Sequence, residues 1–243
     1  MLRESNHHKS LTAALLILIV ILSTLIGVSV RHGVSLDTLN ASASAKRTTV
    51  ILDAGHGGED CGAIGKSGVF EKDLNFDITM QMGSLLSGYG YNVVYTRTED
   101  KLLYRPEENI KGIRKISDLK NRCAIANGYT DAIFVSIHMN SFGDSRYSGL
   151  QVYYSESISD SRMLAEAIQS SVRKTLQPQN NRRIKSGDGI YLLENITMPS
   201  VLVECGFLSN VEECEKLSQK EYQKELSFSI VCGIIEYIEA IHS

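Results

Sequence analysis

Beyond residue 46 the chain alternates between two hydrophobic periods. Short apolar runs closed by Gly, Asp or Asn are "TTVILDA" (48–54), "YNVVYTR" (91–97), "AIFVSIH" (132–138), "GLQVYY" (149–154), "GIYLLE" (189–194) and "SVLVEC" (200–205). Their content of Val, Ile and Tyr is that of strands. Between them apolar residues recur every three or four positions, at Leu74, Ile78, Met82 and Leu85, and again at Leu164, Ala167, Ile168 and Val172. A last helix over about 219–240 carries Leu226, Ile230, Ile234 and Ile238. Gly88 and Gly90 close the first helix. The pattern predicts one α/β domain over 46–243 with a central, mostly parallel six-stranded sheet flanked by helices. One segment, "KLLYRPEENIKGIRKIS" (101–117), fits neither period and is expected to be a long loop.

The first 45 residues read differently. Leu11 to Val30 is an uncharged apolar run preceded by Arg3 and Lys9, and about 20 such residues span a bilayer. A cleaved secretory signal is the alternative, with "ASASA" (41–45) offering small-residue cleavage sites. The run exceeds the usual apolar core of about 7–15 residues, and those sites lie far past its end. The expectation is therefore a cytoplasmic tail, a signal anchor in the membrane and a Ser/Ala-rich linker. The basic flank places the remainder outside the cytoplasm, tethered or secreted.

Composition narrows the function. A net charge of −3 gives no basic field for nucleic acid. The absence of Trp and an aromatic share of 7% argue weakly against an aromatic sugar-stacking platform. The five cysteines form no C-x-x-C pair, which disfavours a zinc ribbon, and no structural disulfide is expected.

Candidate chemistry gathers at strand ends, where open α/β sheets place their sites. His56 lies just past the first strand in a glycine-rich loop, and His138 ends the third. Glu204 falls at the end of "SVLVEC", and Glu71 opens the helix after the first loop. Singly, each has a plainer role: a carboxylate on a helix dipole, a structural histidine, half of a buried ion pair. Together they form the set for a catalytic zinc, with two histidines and one carboxylate as ligands and the fourth position left to water. The second carboxylate is then the general base. No H-E-x-x-H is present, which excludes the common metalloprotease helix.

These residues resemble the zinc-dependent N-acetylmuramoyl-L-alanine amidases of the amidase 3 family over about 48–240. "DAGHGGEDCGAIGKSGVFEKDLN" is similar to the family's opening motif and "TRTED" with "LKNRCAIAN" to its next block. "VSIHMNS" and "SVLVECGFLSN" resemble the remaining two, while Ala54 and Cys61 stand where the family often has proline. The resemblance implies Zn2+ on His56, Glu71 and His138, with Glu204 as catalytic base. It implies hydrolysis of the amide joining N-acetylmuramic acid to the stem L-alanine of peptidoglycan. Asn75 and Asn140 are candidates to fix ligand tautomers, and Asn140 and Arg97 to bind substrate. A loop or cap role for the asparagines, and a salt bridge from Arg97 to Asp100 or Glu99, are the plainer readings.

The 101–117 insert, the membrane-type N-terminus and the lack of wall-binding repeats resemble the family's sporulation amidases. That implies action on spore cortex, in the intermembrane space of the developing spore, so that muramic-δ-lactam can form. With no wall-binding repeat, an accessory protein has a place in reaching substrate. The rival readings are another zinc peptidoglycan hydrolase, such as a carboxypeptidase, and a catalytically inactive wall-binding module.

Overall fold

The computed structural model describes residues 48–243. The run at 11–30 lies outside these residues, and none of the described helices is long and apolar enough to cross a membrane. The strands are β1 (Thr49–Ala54), β2 (Asn92–Tyr95), β3 (Ala132–Asn140), β4 (Gln151–Tyr154), β5 (Lys185–Ser186) and β6 (Ser200–Phe207). The helices are α1 (Glu71–Gly88), α2 (Arg114–Asn127), α3 (Ser159–Thr175), α4 (Tyr191–Asn195), α5 (Val211–Leu217) and α6 (Lys220–Ile241).

The sheet order is β2-β1-β3-β6-β4-β5. β2, β1, β3 and β6 run parallel, and β4 with β5 runs antiparallel to β6. This is the expected α/β fold with a six-stranded, mostly parallel sheet. Both faces of the central strands are covered, which is why they read as unbroken apolar runs. On one face Val50, Ile133, Val135, Val203 and Val152 pack with Ile78, Met82, Leu164, Ile168, Ile230 and Ile234 of α1, α3 and α6. On the other, Ile51 and Phe134 pack with Cys123, Ala126, Leu192 and Ile196 of α2 and the α4 region. Gly233 permits the close crossing of α3 and α6, since a Cβ there would stand 2.6 Å from the Ile168 backbone.

Two elements differ from the sequence expectation. "GIYLLE" is not a strand; Tyr191–Asn195 is a short helix and the sixth strand is Lys185–Ser186. Leu192 and Leu193 are both buried, so the run lacks the alternation of a half-covered strand, and a short apolar run does not separate the two states by itself. The 101–117 loop is also shorter than expected: a 3-10 turn covers Pro106–Glu108 and α2 begins at Arg114. The buried stripe of α2 opens with Ser117, Asp118 and Arg122, which conceals its apolar period.

All five cysteines are free. The core accounts for every element beyond Lys46, so a 46–243 fragment is expected to be soluble and to unfold in one cooperative transition. Circular dichroism against urea checks this; aggregation in zinc-containing buffer with no transition would refute it.

Candidate metal centre

The parallel strands β1, β3 and β6 end at one edge of the sheet, and the four candidate residues meet there. His56 sits two residues past β1 with φ of 61°, the sole non-glycine residue with positive φ among the described residues. A β-carbon at that angle costs on the order of 1–2 kcal/mol, so the turn needs outside support. The Arg122 Nη2 donates to the His56 carbonyl at 2.8 Å, and Gly57 and Asp60 exchange two backbone hydrogen bonds. Glycines leave room for the side chains: a Cβ on Gly55 would stand 2.2 Å from the His138 ring. One on Gly62 would stand 2.5 Å from Glu71 Oε2.

Glu71 is the first residue of α1 and points back over this edge. Its Oε1 lies 3.2 Å from His56 Nε2 and 3.0 Å from His138 Nδ1. Backbone N–H groups of Met139 and Ala63 donate to its two oxygens at 3.0 and 2.7 Å. The imidazoles meet edge to face with centroids 4.9 Å apart. One ligand atom from each of His56, Glu71 and His138 lies within 4.8 Å of the others, a group able to hold a metal ion. Asp60 Oδ2 lies 2.9 Å from His56 Nδ1, which leaves Nε2 facing the centre, the usual way a carboxylate fixes a ligand tautomer. Burial opposes charge on His56, but hydrogen bonds to Asp60 and Glu71 outweigh it and push its pKa up to about 9. Burial likewise opposes charge on Glu71, yet the two histidines hold it well below the carboxylate range. The same contacts favour any cation at this point, proton or metal.

Glu204 stands apart from this cluster and beside it. In the β3–β6–β4 register it pairs with His138 on one side and Gln151 on the other, so the three share one face. Its Oε2 is buried with no hydrogen-bond partner among the described residues. Burial raises its pKa to about 7, with His138 and His56 lowering it and Glu71 raising it. A carboxylate poised near neutrality is what a general base needs.

Behind the centre is a buried polar network whose part in the site the residue pattern did not disclose. Arg122, 1% exposed, binds Asp118 through Nε at 2.8 Å and Asp53 through Nη1 at 2.6 Å. The same Nη1 donates to the Ala54 carbonyl at 2.7 Å. Asp118 accepts the Leu103 N–H, and Asp53 accepts the Ser136 and Thr96 hydroxyls.

Arg97 is not presented to substrate. It is 3% exposed and its guanidinium donates to the carbonyls of Ala54, Gly55, Lys72 and Glu99. Its role is to brace the backbone leading into His56, neither the substrate contact nor the side-chain salt bridge that the sequence offered. Asn75 is buried and donates to the Gly55 carbonyl at 3.1 Å and toward Glu71 at 3.4 Å, so it orients the Glu71 carboxylate. Asn140 ends β3, half-buried, on the face of His138 and paired with Phe207.

Residues 50–236 match the Amidase_3 family, N-acetylmuramoyl-L-alanine amidase, and the chain belongs to that family: it is a hydrolase of the N-acetylmuramoyl-L-alanine amide in peptidoglycan. Its likeness within the family is to sporulation and germination members. The germination-specific N-acetylmuramoyl-L-alanine amidase of Bacillus subtilis (strain 168) is 35% identical over 190 residues, 77% of this chain and 78% of that protein. The CwlD amidase from Clostridioides difficile, solved in complex with the GerS lipoprotein, is 41% identical with a TM-score of 0.77. It covers 80% of this chain and 100% of its own. An N-acetylmuramoyl-L-alanine amidase from Clostridium difficile 630 is 30% identical with a TM-score of 0.71, covering 81% and 99%.

Proposed function

We propose that this is a zinc amidase of spore-cortex peptidoglycan, which strips stem peptides so that muramic-δ-lactam can form. The observation that carries it is Glu204: a half-buried carboxylate whose Oε2 is buried without a hydrogen-bond partner among the described residues, with a pKa raised to about 7, one strand from His138 and outside the cluster of His56, Glu71 and His138. A wall-binding module has no use for such a group. His56, Glu71 and His138 fit the metal by donor type, by mutual distance and by the number of ligands catalytic zinc takes.

Bound there, zinc supplies Lewis-acid charge to the scissile carbonyl and to a water. The chain supplies the rest. Glu204 takes the water proton, favoured by a pKa near the working pH, and returns it to the departing alanine amine. Asp60 and the Met139 and Ala63 N–H groups keep His56 and Glu71 in place, so little reorganisation accompanies the reaction. Asn140, on the same face and next to the centre, contacts substrate.

The chain divides functionally at about residue 45, with the 11–30 run as membrane anchor and 46–243 as the catalytic domain outside the cytoplasm. The GerS complex of the CwlD relative supports an accessory protein here too, since no wall-binding repeat is visible in the sequence. Digestion of denuded cortex with zinc supplied, followed by mass spectrometry of the muropeptides, tests the reading. New alanine N-termini are expected; release of C-terminal residues only would indicate a carboxypeptidase, and no release a binding module.

A further inference from the structure

The loop that leaves β3 holds two aromatic side chains that the core does not use. Between Asn140 and Gly149 the chain is otherwise small or polar, yet Phe142 is 59% exposed and Tyr147 46%. Their rings meet edge to face with centroids 5.1 Å apart. Tyr147 in turn stacks on Phe207 at 6.1 Å, with 27° between the planes. Aromatics are only 7% of the chain, and the fold gathers three of them into one surface, with buried Phe207 at its base and Phe142 its most exposed member.

This surface continues from the edge that carries the metal-binding cluster. Phe207 pairs with Asn140, just beyond the pairing of His138 with Glu204. The Arg182 guanidinium lies 4.8 Å from the Phe207 centroid and donates to Gln151, the register partner of Glu204, so the ring and Glu204 share a face. Phe142 is four residues past His138, which limits their Cα separation to about 14 Å. The loop is pinned along its length. The Phe142 N–H donates to Ser209 Oγ at 3.1 Å, and Asp144 binds Arg146 at 2.7 Å. Glu213 accepts the Phe207 and Gly149 N–H groups, both at 2.8 Å. Rings presented on a fixed backbone lose little conformational entropy when a ligand arrives.

We propose that Phe142 and Tyr147 form a binding surface for sugar rings of the glycan strand, beside the scissile bond. This rests on the amidase reading and names how the same site takes hold of its substrate. The scissile carbonyl hangs from the muramoyl ring through a lactyl ether, three covalent bonds or about 4 Å. Sugars of the strand therefore lie within the distance that separates these rings from the metal-binding cluster. The β-linked N-acetylated pyranoses carry equatorial substituents and turn axial C–H groups to both faces. Such C–H groups match the negative face of an aromatic ring, and the Tyr147 hydroxyl can answer a sugar hydroxyl or N-acetyl group. The stem peptide offers small methyls and charges, which two uncharged rings do not select.

The test is a saturation-transfer NMR titration of the full chain, with zinc supplied, against two probes. One is a peptide-free tetrasaccharide of alternating N-acetylglucosamine and N-acetylmuramic acid; the other is the free stem tetrapeptide. The wild type is expected to bind the tetrasaccharide, with transfer strongest at axial ring protons. Phe142→Ala should raise the tetrasaccharide Kd by about 3- to 10-fold, the scale of one aromatic contact. The tetrapeptide Kd, zinc content and Tm should stay at wild-type levels. Phe142→Leu should be as poor as alanine and Phe142→Trp as good as the wild type, because the flat face is what binds. Tyr147→Ala should also weaken the tetrasaccharide, but it uncovers Phe207, so the decision falls on Phe142. A wild type that ignores the tetrasaccharide overturns the proposal, and so does an unchanged Kd in Phe142→Ala. Leucine equal to phenylalanine overturns it too, marking a plain apolar contact such as a protein partner makes. Loss of the tetrapeptide in Phe142→Ala would give the surface to the stem peptide instead. Binding needs no turnover: a chain that holds the tetrasaccharide in this way but cleaves no muramoyl peptide sinks the amidase reading and not the sugar surface.

Discussion

Glu204→Gln is expected to keep zinc near one equivalent and to lose about 10²–10⁴-fold in turnover, the usual contribution of a positioned base. Glu71→Ala is expected to lose both metal and activity, because it removes one of the three proposed ligands. The two carboxylates look alike in sequence and differ in surroundings: Glu71 Oε1 is in reach of both imidazoles, whereas Glu204 Oε2 has no hydrogen-bond partner among the described residues. The pH dependence follows with its sign: as the proposed base, Glu204 acts only when ionised, so the rate should rise with pH through its titration, and the glutamine variant should lose that limb. Stability moves the other way. A carboxyl whose folded pKa is raised makes the protein less stable as pH climbs from the unfolded value of about 4.5 to about 7. In chelated protein at pH 8 the glutamine variant should therefore be more stable, by about 2–3 kcal/mol. Elemental analysis, released alanine N-termini and urea unfolding on the same samples decide it. Zinc lost from Glu204→Gln but kept by Glu71→Ala would reverse the two roles.

The fold was legible because its parallel strands are covered on both faces and its long helices keep an apolar period. Glu71 and His138 could be placed for a related reason: strand ends and helix starts are fixed by periodicity, and the chemistry must lie there. What stayed hidden lacks a period. The brace on His56 comes from Arg122, 66 residues away in sequence, and a buried guanidinium in a helix looks from sequence like any surface arginine. Arg97 misled for the converse reason. It is an arginine beside a site, but four backbone carbonyls consume its donors.

Arg122→Met is expected to destabilise the domain by about 3–5 kcal/mol, the cost of leaving a buried carboxylate without its counterion. Asp53 is 0% exposed and Asp118 4%, so water cannot replace the guanidinium. In the wild type, burial pushes Asp53 up, but Arg122 and the Ser136 and Thr96 hydroxyls more than offset this and hold it below 3.8. Its contribution is then complete above about pH 4 and is lost only as pH falls through that depressed value. Without Arg122 the burial effect prevails and the folded pKa rises above the unfolded one. The variant should then lose stability as pH rises above about 4, while the wild type does not. The gap between them is expected to narrow steadily as pH falls toward and below 4 and to be widest near neutrality, which urea unfolding of chelated protein at pH 4.5 and 7.5 measures. A gap equal at both values would mean that packing, not charge, is what Arg122 contributes. Zinc affinity at pH 7.5 should fall in the same variant, because the Arg122 fork holds the Ala54 and His56 carbonyls. Released, a histidine at φ of 61° relaxes toward the ordinary α or β region and takes its Nε2 out of reach of Glu71.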